Sequence, residues 1–348
     1  MMGTDYPENI LPDDDGVGFL SGVAPVLAAA DVTFGNLEGV LMDGGEAIKR
    51  CKPPSNEVAV TQTPVESESE PGLEPVTVSV QRMLEQPVTA GSCYVFRSPT
   101  RYANYLREAG FDVMSLANNH AQDFGDPGRD SSMATLDAIG IHHSGREGDI
   151  AEWTTQGRRF ALVAFAPNVG SHQLNDLARA QEIIKAVAAN HDIVIVSFHG
   201  GSEGEGASTL PFTHEIYAGE DRGDVVEFAH TAIDAGADLV IGHGPHVLRA
   251  VELYRDRLIA YSLGNFATYY GISVTGIRGI AGILTTRLAD DGRFMEARLD
   301  STIQIRPAGP TLDPERRAVA QLRDLTTQAF PMGSLRIEDD GRILLTQP

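Results

Sequence analysis

A layered α/β fold is what this sequence predicts, on two patterns. Helix-like and strand-like stretches alternate from 99 to 270, and short apolar runs rich in β-formers end again and again in a polar cluster. In order, residues 1 to 42 read as turn, helix and strand. The helix-like stretch is Phe19–Ala30, and the strand Asp31–Gly35 leads into Asn36-Leu37-Glu38. Then come a helix at Pro99–Ala109, a strand at 111–116, a helix at 131–139, a strand at 159–165 and a helix at 175–190. A strand at 193–198, a helix at 222–235 and a strand at 237–241 close the alternation. Beyond Gly276 the pattern changes to hairpins. Asp290-Asp291-Gly292 separates Ile283–Leu288 from Phe294–Leu299, Asp339-Asp340-Gly341 separates two further apolar runs, and Asp-Gly is a strong hairpin turn signal.

Residues 43 to about 92 break this order. Positions 55 to 90 hold six Glu against one Arg with no apolar period, which predicts an acidic, mobile loop inside a single domain spanning 1–348. Cys51 and Cys93 flank it. An even pair permits one disulfide, and isolated thiols are the commoner reading. Met1-Met2-Gly3-Thr4-Asp5 carries no basic, apolar signal segment, and no complete first strand precedes the Phe19–Ala30 stretch. Either the domain begins unusually or sequence lies upstream of this chain.

Composition narrows the function. A chain of 348 residues at 42% hydrophobic buries a large core, and no apolar run approaches the ~20 residues of a membrane span. A formal net charge of -21 argues against nucleic acid and anionic membrane as partners, because phosphate backbones need clustered Lys and Arg. A phosphorylated substrate stays open, since metal ions supply positive charge locally.

The chemistry sits where the apolar runs end. In Asn36-Leu37-Glu38 an extended chain puts 36 and 38 on one side, so both face one cleft and Glu38 can bridge metals; a surface carboxylate or helix cap is the bland alternative. In Asn118-Asn119-His120 an amide oxygen can ligate a metal while the imidazole moves a proton, with Asp123 placed to orient His120; a plain Asn-stabilised turn is the alternative. His199 follows a run of pure β-formers and precedes two glycines; Glu203 can hydrogen-bond substrate or a ligand histidine, and plain solvation of the loop by Glu203 and Glu205 is the alternative. A lipase-type oxyanion loop also uses His-Gly-Gly, but it needs a Gly-x-Ser-x-Gly nucleophile elbow, which is not expected in this chain. His243 and His246, in Gly242-His243-Gly244-Pro245-His246, can both point at one metal. Asn265, in Tyr261-Ser262-Leu263-Gly264-Asn265-Phe266, completes the set. The histidines at 142, 143, 172, 191, 214 and 230 follow no clean strand and read as surface or helix-face residues.

Taken together, Asn-Leu-Glu, Ser-Leu-Ala-Asn-Asn-His with Asp-Phe-Gly, His-Gly-Gly-x-Glu, Gly-His-Gly-Pro-His and Tyr-Ser-Leu-Gly-Asn-Phe in this order resemble the CapA family of poly-γ-glutamate capsule biosynthesis proteins. That family is similar in fold to calcineurin-like metallophosphoesterases. The resemblance implies a four-layer α/β/β/α sandwich with one or two divalent ions (Mn, Zn, Fe or Mg) at strand ends. It implies Glu38, Asn119, His199, His243 and His246 as metal ligands and His120 with Asp123 as the catalytic pair. Asn36, Asn118, Gly201, Glu203 and Asn265 are the candidate substrate contacts, backbone amides near Gly200 and Gly201 are candidates for an oxyanion, and the expected partner is a small-molecule or anionic polymer substrate. Two departures stand out. The first-strand Gly-Asp of the family has no counterpart here, which leaves Asp5 as a stand-in ligand, and Gly200 replaces a frequent aromatic. Two classes of function follow: a metal-dependent phosphoesterase-like hydrolase of the cell envelope, or a non-catalytic polymer-binding or assembly factor. An envelope or extracellular location requires an upstream export signal; the alternative is cytoplasmic.

Overall fold

Four parallel strands build the centre of the molecule, because their middle residues are apolar on both faces, with β-branched runs in the two innermost. They are Arg158–Ala166, Ile193–His199, Leu239–His243 and Arg257–Ala260. Val251–Tyr254 and Ala151–Thr155 close the edges antiparallel, and His172–Gln173 adds a short strand, giving a seven-stranded sheet. The computed structural model describes residues 2–49 and 94–346. They belong to one compact unit, Met1–Lys49 with Val95–Pro348, apart from Tyr94. The expected acidic loop at 55–90 and the Cys51–Cys93 pair lie outside the described residues.

Period-two alternation gives this sheet two different faces. Val194, Val196, Phe198 and Val240 pack under the helices Leu177–Ala188 and Val225–Ala235, through Ile184, Val187, Ala229 and Ala232. Both helices start where an Asp caps them: Asp176 accepts from the Arg179 amide, and Asp224 from those of Val226 and Glu227. The opposite face, with Ile193, Ile195, Leu239 and Leu258, packs against Val113, Leu248 and the C-terminal strands.

A second, three-stranded parallel sheet joins Phe34–Asn36, Val113–Ser115 and His142–Ser144. Leu106, Ala109, Met114 and Leu136 form its own core with the helices Ala103–Ala109 and Gly125–Ala138. The C-terminal sheet is antiparallel, and Ile280–Leu288 pairs with Phe294–Gln304 around the Asp-Gly turn that the sequence marks. Leu335–Ile337 and Arg342–Leu345 pair around the second such turn. There Gly341 is needed: its φ is 91°, and a Cβ would meet Leu299 O at 2.3 Å. No helix among the described residues is long and apolar enough to cross a membrane.

Three expectations are corrected. Phe19–Ala30 holds only a four-residue α-helix, Ala24–Leu27, because Gly16 and Gly18 turn with φ of 80° and 74° and Gly22 packs where a Cβ would lie 2.8 Å from Pro310 O. The helix expected at 131–139 begins earlier, at Gly125. The hairpin region contains a helix, Arg317–Ala329, started by Asp313, whose carboxylate accepts from the Arg317 amide at 2.9 Å.

Candidate metal and acid–base site

Register alone sets two of the histidines side by side. Leu239–His243 pairs with Ile193–His199 so that His243 lies opposite His199, and both continue the face that carries Ile195 and Leu239. The two loops that follow are tied together: the Gly200 amide donates to His243 O at 2.8 Å. Gly244 has to be glycine, because its φ is 120° and a Cβ would stand 2.6 Å from Gly200 O. His246 then takes a left-handed φ of 58°, a conformation disfavoured for a side chain with a Cβ. Asn265 holds the ring in place, its Oδ1 lying 2.8 Å from His246 Nδ1 while its amide donates to Ser273 O and Arg278 O. With the Asn265 oxygen as acceptor, Nδ1 carries the proton and Nε2 presents a lone pair. That Nε2 faces Glu38 Oε1 at 3.5 Å and Glu203 Oε2 at 3.8 Å.

The second half of the cleft comes from the loop after Val113–Ser115. His120 Nδ1 lies 2.7 Å from Asp123 Oδ2, which also accepts from the Phe96 amide at 2.8 Å. Lys49 Nζ stands 3.2 Å from the other Asp123 oxygen and 3.5 Å from His120 Nδ1. Phe96 covers the imidazole at 4.3 Å between ring centroids. Asn118 braces this turn: its amide donates to Leu37 O and Asn36 Oδ1, and its oxygen accepts the His120 amide at 3.1 Å. Its polar groups therefore join two strand ends.

The two halves differ in satisfaction. Glu38 Oε1, Asn119 Oδ1, both His199 ring nitrogens and His243 Nε2 are buried without a hydrogen-bond partner. Each such atom costs about 1–3 kcal/mol. Burial pushes His199 well below its ordinary value and His243 down to about 4, so both rings are neutral near pH 7. Burial pushes the Glu38 carboxyl up, but the attraction of the neighbouring His246, His199 and His120 rings in their protonated forms more than offsets that and lowers it to about 2. Neutral imidazoles, an amide oxygen and a charged carboxylate with unused lone pairs are the donor chemistry that a divalent ion takes, so the residues fit one. Among the described residues, no three His, Cys, Asp or Glu side chains already converge as a metal-holding cluster.

Several expectations change here. The Gly201 amide donates to Arg222 O and the Gly200 amide to His243 O, so neither is available to an oxyanion. Asp5 is bound to Arg97 at 2.6 Å and is no stand-in ligand. Gly200–Gly204 itself matches Gly-x-Ser-x-Gly, yet Ser202 leads into a single 3-10 turn, and no histidine bonds its hydroxyl among the described residues. His142 and His143 lie on a strand, with His143 between Asp137 and Asp149, and His172 is 2% exposed and accepts the Gly148 amide.

Sequence reasoning missed Lys49, Arg222 and the buried pair of Arg249 with Glu215, joined twice at 2.7 Å. A lone Arg inside Val247-Leu248-Arg249-Ala250-Val251 was the available signal for the last; the others depend on loops meeting in space. Beside the site lies a cavity of about 590 Å³, and Asn36, Glu38, His243, His246 and Asn265 are among the residues that line it.

A family model described as bacterial capsule synthesis protein PGA_cap matches residues 80–270. The chain is 31% identical over 181 residues to the capsule biosynthesis protein CapA of Bacillus anthracis, covering 46% of this chain and 41% of that protein. It is 30% identical over 178 residues to the PGA biosynthesis protein CapA of Bacillus subtilis, covering 46% and 43%. A probable polyglutamine synthesis accessory protein of Mycobacterium tuberculosis is 31% identical over 224 residues, 54% of each chain. The matched stretch thus spans about half, or less, of these relatives' length.

Proposed function

The chain belongs to the bacterial capsule synthesis protein family, and from that premise we propose that it is a metal-dependent, phosphoesterase-like hydrolase acting in poly-γ-glutamate capsule biosynthesis at the cell envelope. One observation carries the reading: five unpartnered donor atoms, on Glu38, Asn119, His199 and His243, are brought to adjoining loops in the neighbourhood of His246. Orphaned buried donors persist in folded proteins where a ligand or ion completes them. The same reading takes the two facing sheets, with helices on their outer sides, as a four-layer metallophosphoesterase arrangement.

Glu38, Asn119, His199, His243 and His246 would hold the ion, which supplies Lewis-acid polarisation and an activated water when bound. His120 stands apart from that set and hands a proton to the leaving oxygen through Nε2. Asp123 fixes its tautomer and ring direction, and the Phe96 ring keeps bulk water from one face. Asn265 orients His246. The test is hydrolysis of a phosphodiester and a phosphomonoester with Mn, Zn and Mg. Activity unchanged in the double variant His199→Ala, His246→Ala would sink this reading.

A second reading, a polymer-binding or assembly factor without catalysis, is favoured by the absence of a preassembled three-ligand cluster among the described residues. Calorimetric titration with poly-γ-glutamate, with and without Mn(II), separates the two. The acidic chain binds that polymer only with the cation present under this second reading.

A further inference from the structure

Glu203 is held in place by more contacts than a solvent-facing loop carboxylate needs. Its neighbours are pinned on both sides: the Gly201 amide to Arg222 O, the Ser202 amide to Glu215 Oε2, and the Gly204 amide to Pro245 O. The last of these attaches Glu203 to the Gly-His-Gly-Pro-His turn itself. Glu215 is fixed in turn by the two bonds from Arg249, which is fully buried.

The carboxylate divides its two oxygens. Oε1 lies 3.0 Å from Nη2 of Arg222, a guanidinium only 1% exposed; the approach is an ion pair without hydrogen-bond geometry, and that Nη2 has no hydrogen-bond partner. Oε2 is left toward His246 Nε2 at 3.8 Å, too long for a hydrogen bond. Glu38 Oε1, itself unpartnered and buried, approaches the same nitrogen at 3.5 Å. Two donors that share an ion at about 2.1 Å, at a tetrahedral angle, stand about 3.4 Å apart. Both pairs have close to this separation, and both meet at one imidazole nitrogen whose ring is turned by Asn265. Among the described residues the pairs do not make a three-donor cluster as they stand.

We propose that Glu203 is a metal ligand of this site, sharing an ion with His246 and Glu38, and that Arg222 is the positioning residue that aims it. The proposal rests on the metal-dependent reading above and adds to it a second carboxylate, in the His-Gly-Gly-Ser-Glu loop. A buried Arg beside a carboxylate is expensive to desolvate, and it is retained here where it fixes the direction of the oxygen that faces His246.

The experiment is Mn(II) titration by calorimetry on metal-stripped full chain, with Mn(II) paramagnetic resonance as a second readout. Wild type is compared with Glu203→Gln, Glu203→Asp, Arg222→Gln and Arg222→Lys, and Glu205→Gln serves as the control from the same loop. Glu203→Gln is expected to weaken Mn(II) about 10- to 100-fold, the usual effect at a ligand or its support. Glu203→Asp, which keeps the charge beside Arg222, is expected to fold and fall between. Arg222→Gln should weaken binding and Arg222→Lys restore part of it, with Glu205→Gln unchanged. Equal Mn(II) affinity in wild type and Glu203→Gln would overturn the proposal while leaving the hydrolase reading in place. A wild type that takes up no Mn(II) overturns both. Weakened binding together with absent hydrolysis supports the ligand role and rejects the hydrolase.

Discussion

His120 and His199 stand in one cleft and are built in opposite ways. His120 is saturated: Asp123 takes its Nδ1, Asn118 takes its backbone amide, Phe96 covers it, and Lys49 approaches from the rim. His199 is fully buried, neutral and has neither nitrogen bonded. Under the proposed function the same side chain is tuned for two tasks. A proton carrier has to be held in one tautomer by a fixed partner, whereas a ligand has to keep its lone pair free until an ion arrives. The first arrangement adds to stability, and the second subtracts from it until the site is filled.

That contrast breaks most readily at Asp123. Asp123→Ala strips a buried carboxylate from His120, Lys49 and the Phe96 amide, and a loss of about 3–5 kcal/mol in urea unfolding is expected. A loss below about 1 kcal/mol would show that the saturated half holds little. The opposite sign is expected next door. His199→Leu removes two unpartnered nitrogens, so metal-free protein should gain about 1 kcal/mol, or at least lose nothing, under the same denaturation. A clear loss would mean that the imidazole contributes more by packing than its bare nitrogens cost.

A smaller, pH-linked effect provides a reference away from the cleft. Asp313 is held at about 2 by its hydrogen bonds from Arg317 and by the amides of Arg317 and Glu315, working against burial. Its folded value lies below the ordinary 3.8, so the unfolded chain binds the proton first. The stability it contributes is complete above about pH 4 and is lost as pH falls toward 2. Asp313→Asn should flatten the wild-type slope of stability between those values; an unchanged slope would reject the assignment.

The central strands are legible because buried β-formers in runs such as Ile193–His199 and Leu239–His243 leave few alternatives, and Asp-Gly marks both hairpins. The helix Arg317–Ala329 is harder to read. Ala318, Val319, Leu322 and Thr326 do share its buried face, but only two of those four are large and apolar, and hairpin signals stand on either side of them. The Phe19–Ala30 stretch fails as a helix for a local reason, the glycines that turn the chain before Ala24. At the site, Glu38, Asn119, His199, His243 and His246 are visible in the sequence because each follows an apolar run. Lys49 and Arg222 are not, since their partners Asp123 and Glu203 come from other loops, and only the fold brings them together. Asn118 illustrates the converse: a polar residue in the right place whose groups are used to join Leu37 to His120.

The unfilled donors make the central claim directly measurable. Metal-stripped wild type and the His199→Ala, His246→Ala double variant are each dialysed against trace Mn(II) and Zn(II), and bound metal is counted by elemental analysis. One ion per wild-type chain, absent from the double variant, is the predicted result. A wild type without metal, or a double variant that retains the same stoichiometry, would contradict the reading of these orphaned side chains as a metal site.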